Sequence, residues 1–380
     1  MKRVIIIFII VFLLSGCYNY KELNKLAIVS SVSIDKSNNE YLVGAQVINI
    51  KNKEDTSSSN VTVYEAKGKT IEEALRKMTM KSDKKLYGGH LNKLVISEDV
   101  AKDSIINIID LFQRLPEIKD EFTITISKDI EANKVIKMIT SSESIPADYV
   151  KNTIDSSDLQ SALTYSSKLD EFVSYYLKDY IDPVISVIRV KNYNDNSTKT
   201  SNKETTYSNS KIVLDNIAIT NNGKFEKYLN DNETIGYNFI KDNINQMIIP
   251  IKCGNNYSSI SVLSSKTKNK VVKKDNYYVI TFNIKSNATI NEYNCKKDLD
   301  NEKTINFLER ESERKIKKYI NDVLDVKSKS EFLGLKRIIY LNYPQYKDED
   351  YKIKTNIKVN ISRNGDIRNS SKGEKHEYKN

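Results

Sequence analysis

An α+β chain of more than one domain is what the residue pattern predicts, with mixed sheets, packed helices and a strand-rich second half around one long amphipathic helix. Three observations carry that expectation. In the first half, alternating or wholly apolar runs are interleaved with apolar stripes at i, i+3, i+4, i+7 spacing. The second half holds mostly alternating runs and one long charged helix. Between them, Lys191 to Ser210 contains no aliphatic residue, so this stretch has too little apolar surface to order itself by burial. At 380 residues the chain has room for two or three domains. The expected division is a leader over 1–16, an N-terminal α/β domain over 17–190 with a subdivision near 145–190 left open, a polar linker over 191–210, a C-terminal α+β domain over 211–369 and a polar tail over 370–380.

Strands are expected at Leu26 to Ile34 and Tyr41 to Ile50, turned by Asn38-Asn39. Thr70-x-x-Glu73 reads as a capping box, and Ile71, Ala74, Leu75 and Met78 continue one helical face. Leu94 to Ile96 reads as a buried strand. Ile105, Ile108, Ile109 and Phe112 form a second helical stripe that stops at Pro116. Phe122, Ile124 and Ile126 alternate as a strand, and Ala132, Val135, Ile136 and Ile139 make a third helix. A longer helix is expected from Leu159 to Leu177, ending before Pro183, with Val184 to Val190 as a strand.

Beyond the linker, Ile212 to Thr220 leads into Asn222-Gly223, a strong hairpin signal. Met247 to Lys252 and Ile260 to Leu263 are expected as short strands. Tyr278, Ile280, Phe282 and Ile284 alternate as a longer one. From Leu299 to Val326 the pattern is a charged helix, with Glu311 and Glu313 placed to pair with Lys315 and Lys317 at i, i+4. Tyr351 to Ile361 alternates apolar and polar as a half-buried strand, turned by Asn364-Gly365.

The N-terminus points to export. Lys2 and Arg3 precede eleven apolar residues, Val4 to Leu14, well short of the roughly 20 a spanning helix needs. Leu14-Ser15-Gly16-Cys17 follows, an apolar residue and two small ones before a cysteine. That pattern predicts diacylglyceryl transfer to the Cys17 thiol and cleavage before it. The body would then be held at the outer face of a membrane, two acyl chains being enough for stable anchoring.

The net charge of +10 does not argue for nucleic acid. Lys2 and Arg3 would leave with the leader, and the other lysines are interleaved with Asp and Glu without a basic stripe bearing aromatics. Lysines can still hold an anchored body against an anionic membrane. His90 and His376 are the only histidines, and no His, Cys or carboxylate spacing suits a metal. No nucleophile elbow, P-loop or dinucleotide fingerprint is present. Gly88-Gly89-His90 reads as a tight turn in preference to a phosphate cradle. No catalytic residue, cofactor or metal is therefore expected. With Cys17 acylated, Cys253 and Cys295 are the remaining thiols. In an exported domain they are either bridged or two separate small core residues.

Several segments resemble the Ger(x)C spore germination lipoproteins, the C subunits of nutrient germinant receptors. The opening Cys17-Tyr18-Asn19-Tyr20-Lys21-Glu22-Leu23, with Leu26-Ala27-Ile28-Val29 and Ser33-Ile34-Asp35-Lys36, is similar to theirs, with Tyr18 where Trp is usual. Glu65 to Leu75, Tyr87-Gly88-Gly89-His90-Leu91 and Arg114-Leu115-Pro116-Glu117-Ile118 follow in the expected order. Later, Ile217-Ala218-Ile219, Glu233-Thr234-Ile235-Gly236, Ser330-Glu331-Phe332-Leu333-Gly334 and Tyr343-Pro344 resemble the family's second half. The resemblance implies a non-enzymatic lipoprotein of the spore inner membrane. Its partners would be integral membrane A-type and B-type receptor subunits and the lipid bilayer through Cys17. A solute-binding lipoprotein of a membrane transporter is the second reading. It would want two similar βα-rich lobes about a hinge.

Overall fold

A computed structural model of the chain describes residues 25–49, 60–139, 146–194, 196–199, 210–295 and 302–362. The expected leader, Cys17, much of the polar linker, the Asn364-Gly365 turn, His376 and the tail lie outside the described residues. Two sheets organise the rest.

The first sheet begins as an antiparallel meander of β1 (Leu26–Ser37), β2 (Glu40–Ile48) and β3 (Val61–Gly68). Asn38 and Asn39 both take positive φ between β1 and β2, the backbone a two-residue hairpin demands and asparagine tolerates. β4 (Lys85–Tyr87) pairs parallel with the start of β1, and β5 (Lys93–Ser97) with its middle. β6 (Thr123–Ser127) and β7 (Val184–Lys191) continue the parallel array. β8 (Lys211–Asn221) and β9 (Lys224–Tyr228) complete the sheet antiparallel, turned through Asn222 and Gly223 at positive φ.

Every residue of β5 and β6 is buried, as parallel strands covered on both faces must be. One face carries α1 (Ile71–Met78), α2 (Glu98–Asp103) and α3 (Ile105–Arg114), whose Ala74, Met78, Val100, Ile108 and Phe112 enter one core. The other face carries α4 (Ala132–Lys137) and α5 (Pro146–Gln160), through Val135, Ile136, Val150 and Ile154. Polar groups register these layers. Asp35 accepts from the Ala132 and Asn133 N–H groups at the start of α4, both at 2.7 Å. Gln46 donates to the Ile136 carbonyl at 2.6 Å and accepts from Ser30 Oγ at 2.9 Å.

The single helix expected from Leu159 to Leu177 is two. α5 ends at Gln160 and α6 (Leu169–Tyr176) restarts nine residues on. Between them Ala162 takes φ +56, and the following Thr-Tyr-Ser-Ser run favours extended backbone with side-chain hydrogen bonds over helix. Ser167 Oγ donates to the Val184 carbonyl and its own carbonyl accepts from Ile124 N–H. The stripe that suggested one helix is two faces of a chain that turns back onto the sheet.

The sheet also crosses the expected linker. β7 and β8 flank the 191–210 segment and pair in one ladder from Val184↔Ile219 to Lys191↔Lys211. The first sheet therefore runs through β9, and the polar 191–210 segment lies between two of its paired strands.

The second sheet is β10 (Met247–Cys253), β11 (Asn256–Lys273), β12 (Tyr278–Glu292) and β13 (Tyr351–Ile361), in that order. β10 to β12 are antiparallel and β13 joins parallel to β12. β11 is eighteen residues long, where only Ile260 to Leu263 reads as strand by apolar content. Its Lys-, Ser- and Asn-rich remainder is held by the β12 ladder, tertiary pairing overriding weak local propensity. α7 (Asp231–Ile240), α8 (Glu302–Leu324) and α9 (Leu335–Asn342) supply the side chains that share its core.

The charges of α8 are used differently from the expected i, i+4 pairs. Glu311 pairs with Arg314 at 2.5 Å. Glu313 accepts from the Val359 N–H at 3.1 Å, and Glu309 from the Ile361 N–H at 2.9 Å. The helix thereby blocks the end of an edge strand whose donors would otherwise stay open.

Candidate functional site

Of the residues singled out in the sequence, Cys17 lies outside the described residues. Cys253 and Cys295 face each other as a disulfide with Cα atoms 5.2 Å apart. Cys253 ends β10 and Cys295 follows β12, so the pair joins the two strands flanking the start of β11, and Ser258 Oγ lies 3.1 Å from Cys295 Sγ. Gly88-Gly89-His90 is a turn: Leu91 N–H donates to the Gly88 carbonyl at 3.0 Å. A Cβ on Gly88 would lie 2.7 Å from Ile118, so two of the resembling segments pack on each other. The capping box at α1 is a variant. Thr70 Oγ accepts from Glu73 N–H, and Glu73 returns its bond to Lys69 N–H, one residue upstream. Among the described residues no group of three or more His, Cys, Asp or Glu side chains is placed to hold a metal.

Polar and aromatic groups converge at the joint between the sheets, centred on α7. Asn230 and Glu233 form a full capping box at its start. From Thr234 to Ile240 every residue is buried, because the helix meets β8 on one side, β11 on another and α8 along its length. Asn238 points inward and donates to the carbonyls of Ala162 and Thr164 at 2.9 and 3.0 Å. It thus satisfies the turn that interrupts α5 and α6. Tyr237 meets Tyr165 edge-on at 5.6 Å and stacks on Phe332 at 6.2 Å.

The Ser328–Gly334 segment closes the joint from outside. Glu226 on β9 accepts from Ser328 Oγ at 2.8 Å and from Lys329 N–H at 3.0 Å. Asp182, before β7, accepts from Glu331 N–H at 2.7 Å and from Asn222 N–H at 3.2 Å. Gly334 at φ +61 starts α9 against Ile181, and Lys336 spans Glu331 and Asp348 at 2.9 and 2.7 Å. Each bond crosses from one sheet's elements to the other's, or braces one that does.

Burial dominates the electrostatics here. The Lys241 ammonium lies 5.6 Å from the ring centroids of both Tyr175 and Tyr237. Loss of water lowers its pKa to about 8, with Glu171 pulling the other way. The Tyr165 hydroxyl donates to Glu171 and is held neutral far above the ordinary tyrosine range, chiefly by burial. These groups are oriented by packing and by one another at the joint between the two sheets. Sequence reasoning missed Asn238, Asp182 and Glu226. Asn238 alone left a signal, a carboxamide within the apolar run Tyr237 to Ile240.

The fold and its joint define a two-sheet α+β protein whose halves are clasped by a buried helix. The model of the spore germination protein N-terminal domain matches residues 19–190, and that of the spore germination B3/GerAC-like C-terminal domain matches 215–371. The chain belongs to the Ger(x)C family of spore germination proteins. It is 25% identical to spore germination protein KC of Bacillus subtilis (strain 168) over 349 residues, 88% of this chain and 86% of that one. It is 21% identical to spore germination protein GerQC of Bacillus cereus, over 89% of this chain and 90% of that one. The crystal structure of the GerBC protein is similar in fold, with a TM-score of 0.50 and 16% identity over 86% of this chain and 96% of that one.

Proposed function

We propose that this chain is the lipid-anchored C subunit of a spore nutrient-germinant receptor, and that it acts by assembly without chemistry of its own. The observation that carries this reading is the match of both family domains, in order, across 19–190 and 215–371. The clasped joint supports it, since bonds that tie the two sheets together suit a part that presents fixed surfaces to neighbours. Integral membrane A-type and B-type subunits are the proposed partners, and the spore inner membrane the proposed location. Confinement by acyl chains on Cys17 raises the effective concentration of a membrane partner, so modest contacts suffice. The second sheet, four strands with helices on one side, gives no repeat of the first half's βα alternation, which weighs against a two-lobed solute-binding lipoprotein.

The test is genetic. In a strain carrying this receptor alone, deletion should abolish nutrient-triggered germination while a receptor-bypassing trigger still works. Cys17→Ala should lose labelled fatty acid and weaken the nutrient response. Wild-type germination in the deletion strain would refute the receptor role, and equal labelling of Cys17→Ala would refute the anchor.

A further inference from the structure

We propose that the solvent face of the second sheet is a membrane-apposed surface that binds anionic phospholipid headgroups. Register fixes which side chains share this face. Ladder partners Lys270, Thr281 and Lys354 form one row across β11, β12 and β13, and Lys266, Lys285 and Lys358 form another. Lys268, Asn283 and Asn356 lie between them, and Val272, Val279 and Lys352 finish the array. Hydrogen bonds confirm the shared side, with Asn356 donating to Asn283 at 3.0 Å and Asn287 to Ser264 at 3.3 Å.

All seven lysines are exposed, and no Asp or Glu stands in these rows. That departs from a chain in which 60 basic residues are balanced by 50 acidic ones. Lys266 meets Asp242 at the margin, and Lys352 lies 4.6 Å from the Tyr277 ring centroid. Glu292 sits at the far end of β12, paired beyond these rows. Val271, Ile280, Phe282 and Ile284 point the other way, into the core shared with α8 and α9.

The chemistry favours lipid over a protein partner. Protein interfaces are depleted in lysine and centre on aromatic or arginine anchors in pockets, and these rows contain neither Arg nor an aromatic residue. Ammonium groups on flexible stems act as point charges. Alternate residues on a strand lie roughly 7 Å apart and adjacent strands about 4.8 Å, within a Debye length of about 8 Å. The charges therefore present one continuous positive plane, complementary to a negative plane and not to a shaped groove. Such a face would set the orientation of an anchored body, while retention stays with acyl chains. The inference goes beyond the receptor reading and needs no acylation of Cys17.

The test uses the mature chain carrying Cys17→Ala, sedimented with phosphatidylcholine vesicles with or without phosphatidylglycerol. Binding should require phosphatidylglycerol and fall at high salt. Neutralising Lys268, Lys354 and Lys358 to Gln should lower the partition coefficient about 100-fold, at about fivefold per charge. The same lysines changed to Arg should keep it, and Lys119, Lys224 and Lys317 changed to Gln should leave it within about twofold. Thermal melts check that each variant is folded. The proposal is overturned if the parent ignores phosphatidylglycerol vesicles, if the two neutralised sets lose binding equally, or if the face captures an acidic peptide such as polyglutamate but no vesicle.

Discussion

Substituting Gly236 tests how tightly the joint is built. A Cβ at this position would lie 2.1 Å from the Tyr319 carbonyl oxygen, 2.7 Å from its carbon and 2.9 Å from Val323 Cγ1. Carbon needs upward of about 3 Å from such atoms, so α7 and α8 would have to part by on the order of 1 Å. The obstacle is helix backbone, which cannot swing aside as a side chain does. Overpacking of this kind costs about 1–3 kcal/mol, while alanine's better helix propensity returns about 1 kcal/mol. Because the clash is with a fixed carbonyl, Gly236→Ala is expected to be destabilised by about 1–2 kcal/mol net, and Gly236→Val by more. Urea unfolding should show a lower midpoint with an unchanged slope. Gly254→Ala is the comparison: φ is +65 there and nothing lies within 4 Å, so it should show only the roughly 1 kcal/mol cost of left-handed backbone. A Gly236→Ala protein as stable as the parent would refute the close approach of the two helices.

Two further outcomes follow. The Cys253–Cys295 bridge, spanning 42 residues, should contribute about 4 kcal/mol in the chain-entropy account. Alkylation of denatured, unreduced mature protein should tag neither thiol, and two tagged thiols would rule the bridge out. Lys241, at about 8 in the folded chain against an ordinary 10.5, leaves the folded state holding fewer protons than the unfolded one between those values. Stability from this group therefore rises with pH from about 8 to 10.5 and carries a penalty of up to about 3 kcal/mol below that window. Lys241→Met should relieve the penalty at pH 7 and show a smaller gain between pH 8 and 10, read by denaturant midpoints. Loss of stability at pH 7 would show that the Tyr175 and Tyr237 rings outweigh the desolvation.

Local chemistry was readable where one residue type had one role. Asn38-Asn39 and Asn222-Gly223 turn where expected because few residues accept positive φ, and Thr70 caps α1 by accepting from Glu73 N–H. The hydrophobic stripes of α1, α3 and α4 were legible for the same reason. What the pattern hid depends on partners distant in sequence. The turn at Ala162 is satisfied by Asn238, 76 residues away. Glu313 bonds a strand 46 residues on, not the lysine one turn along. The lysine rows were invisible too, since β11 and β13 read separately as polar alternation and only register sets them side by side.

The ladder across 191–210 has a consequence for building hybrid proteins. Exchanging halves between relatives at this polar stretch looks natural from composition. Yet it would leave β7 facing a foreign β8 and β9 through the pairing from Val184↔Ile219 to Lys191↔Lys211. Fused instead between Tyr228 and Asp231, a hybrid keeps that ladder native and places the seam just before α7. The foreign half must then match the 161–168 turn at Asn238, Glu226 at the 328–329 backbone and Asp182 at Glu331. Halves exchanged between relatives at that seam leave the first sheet whole.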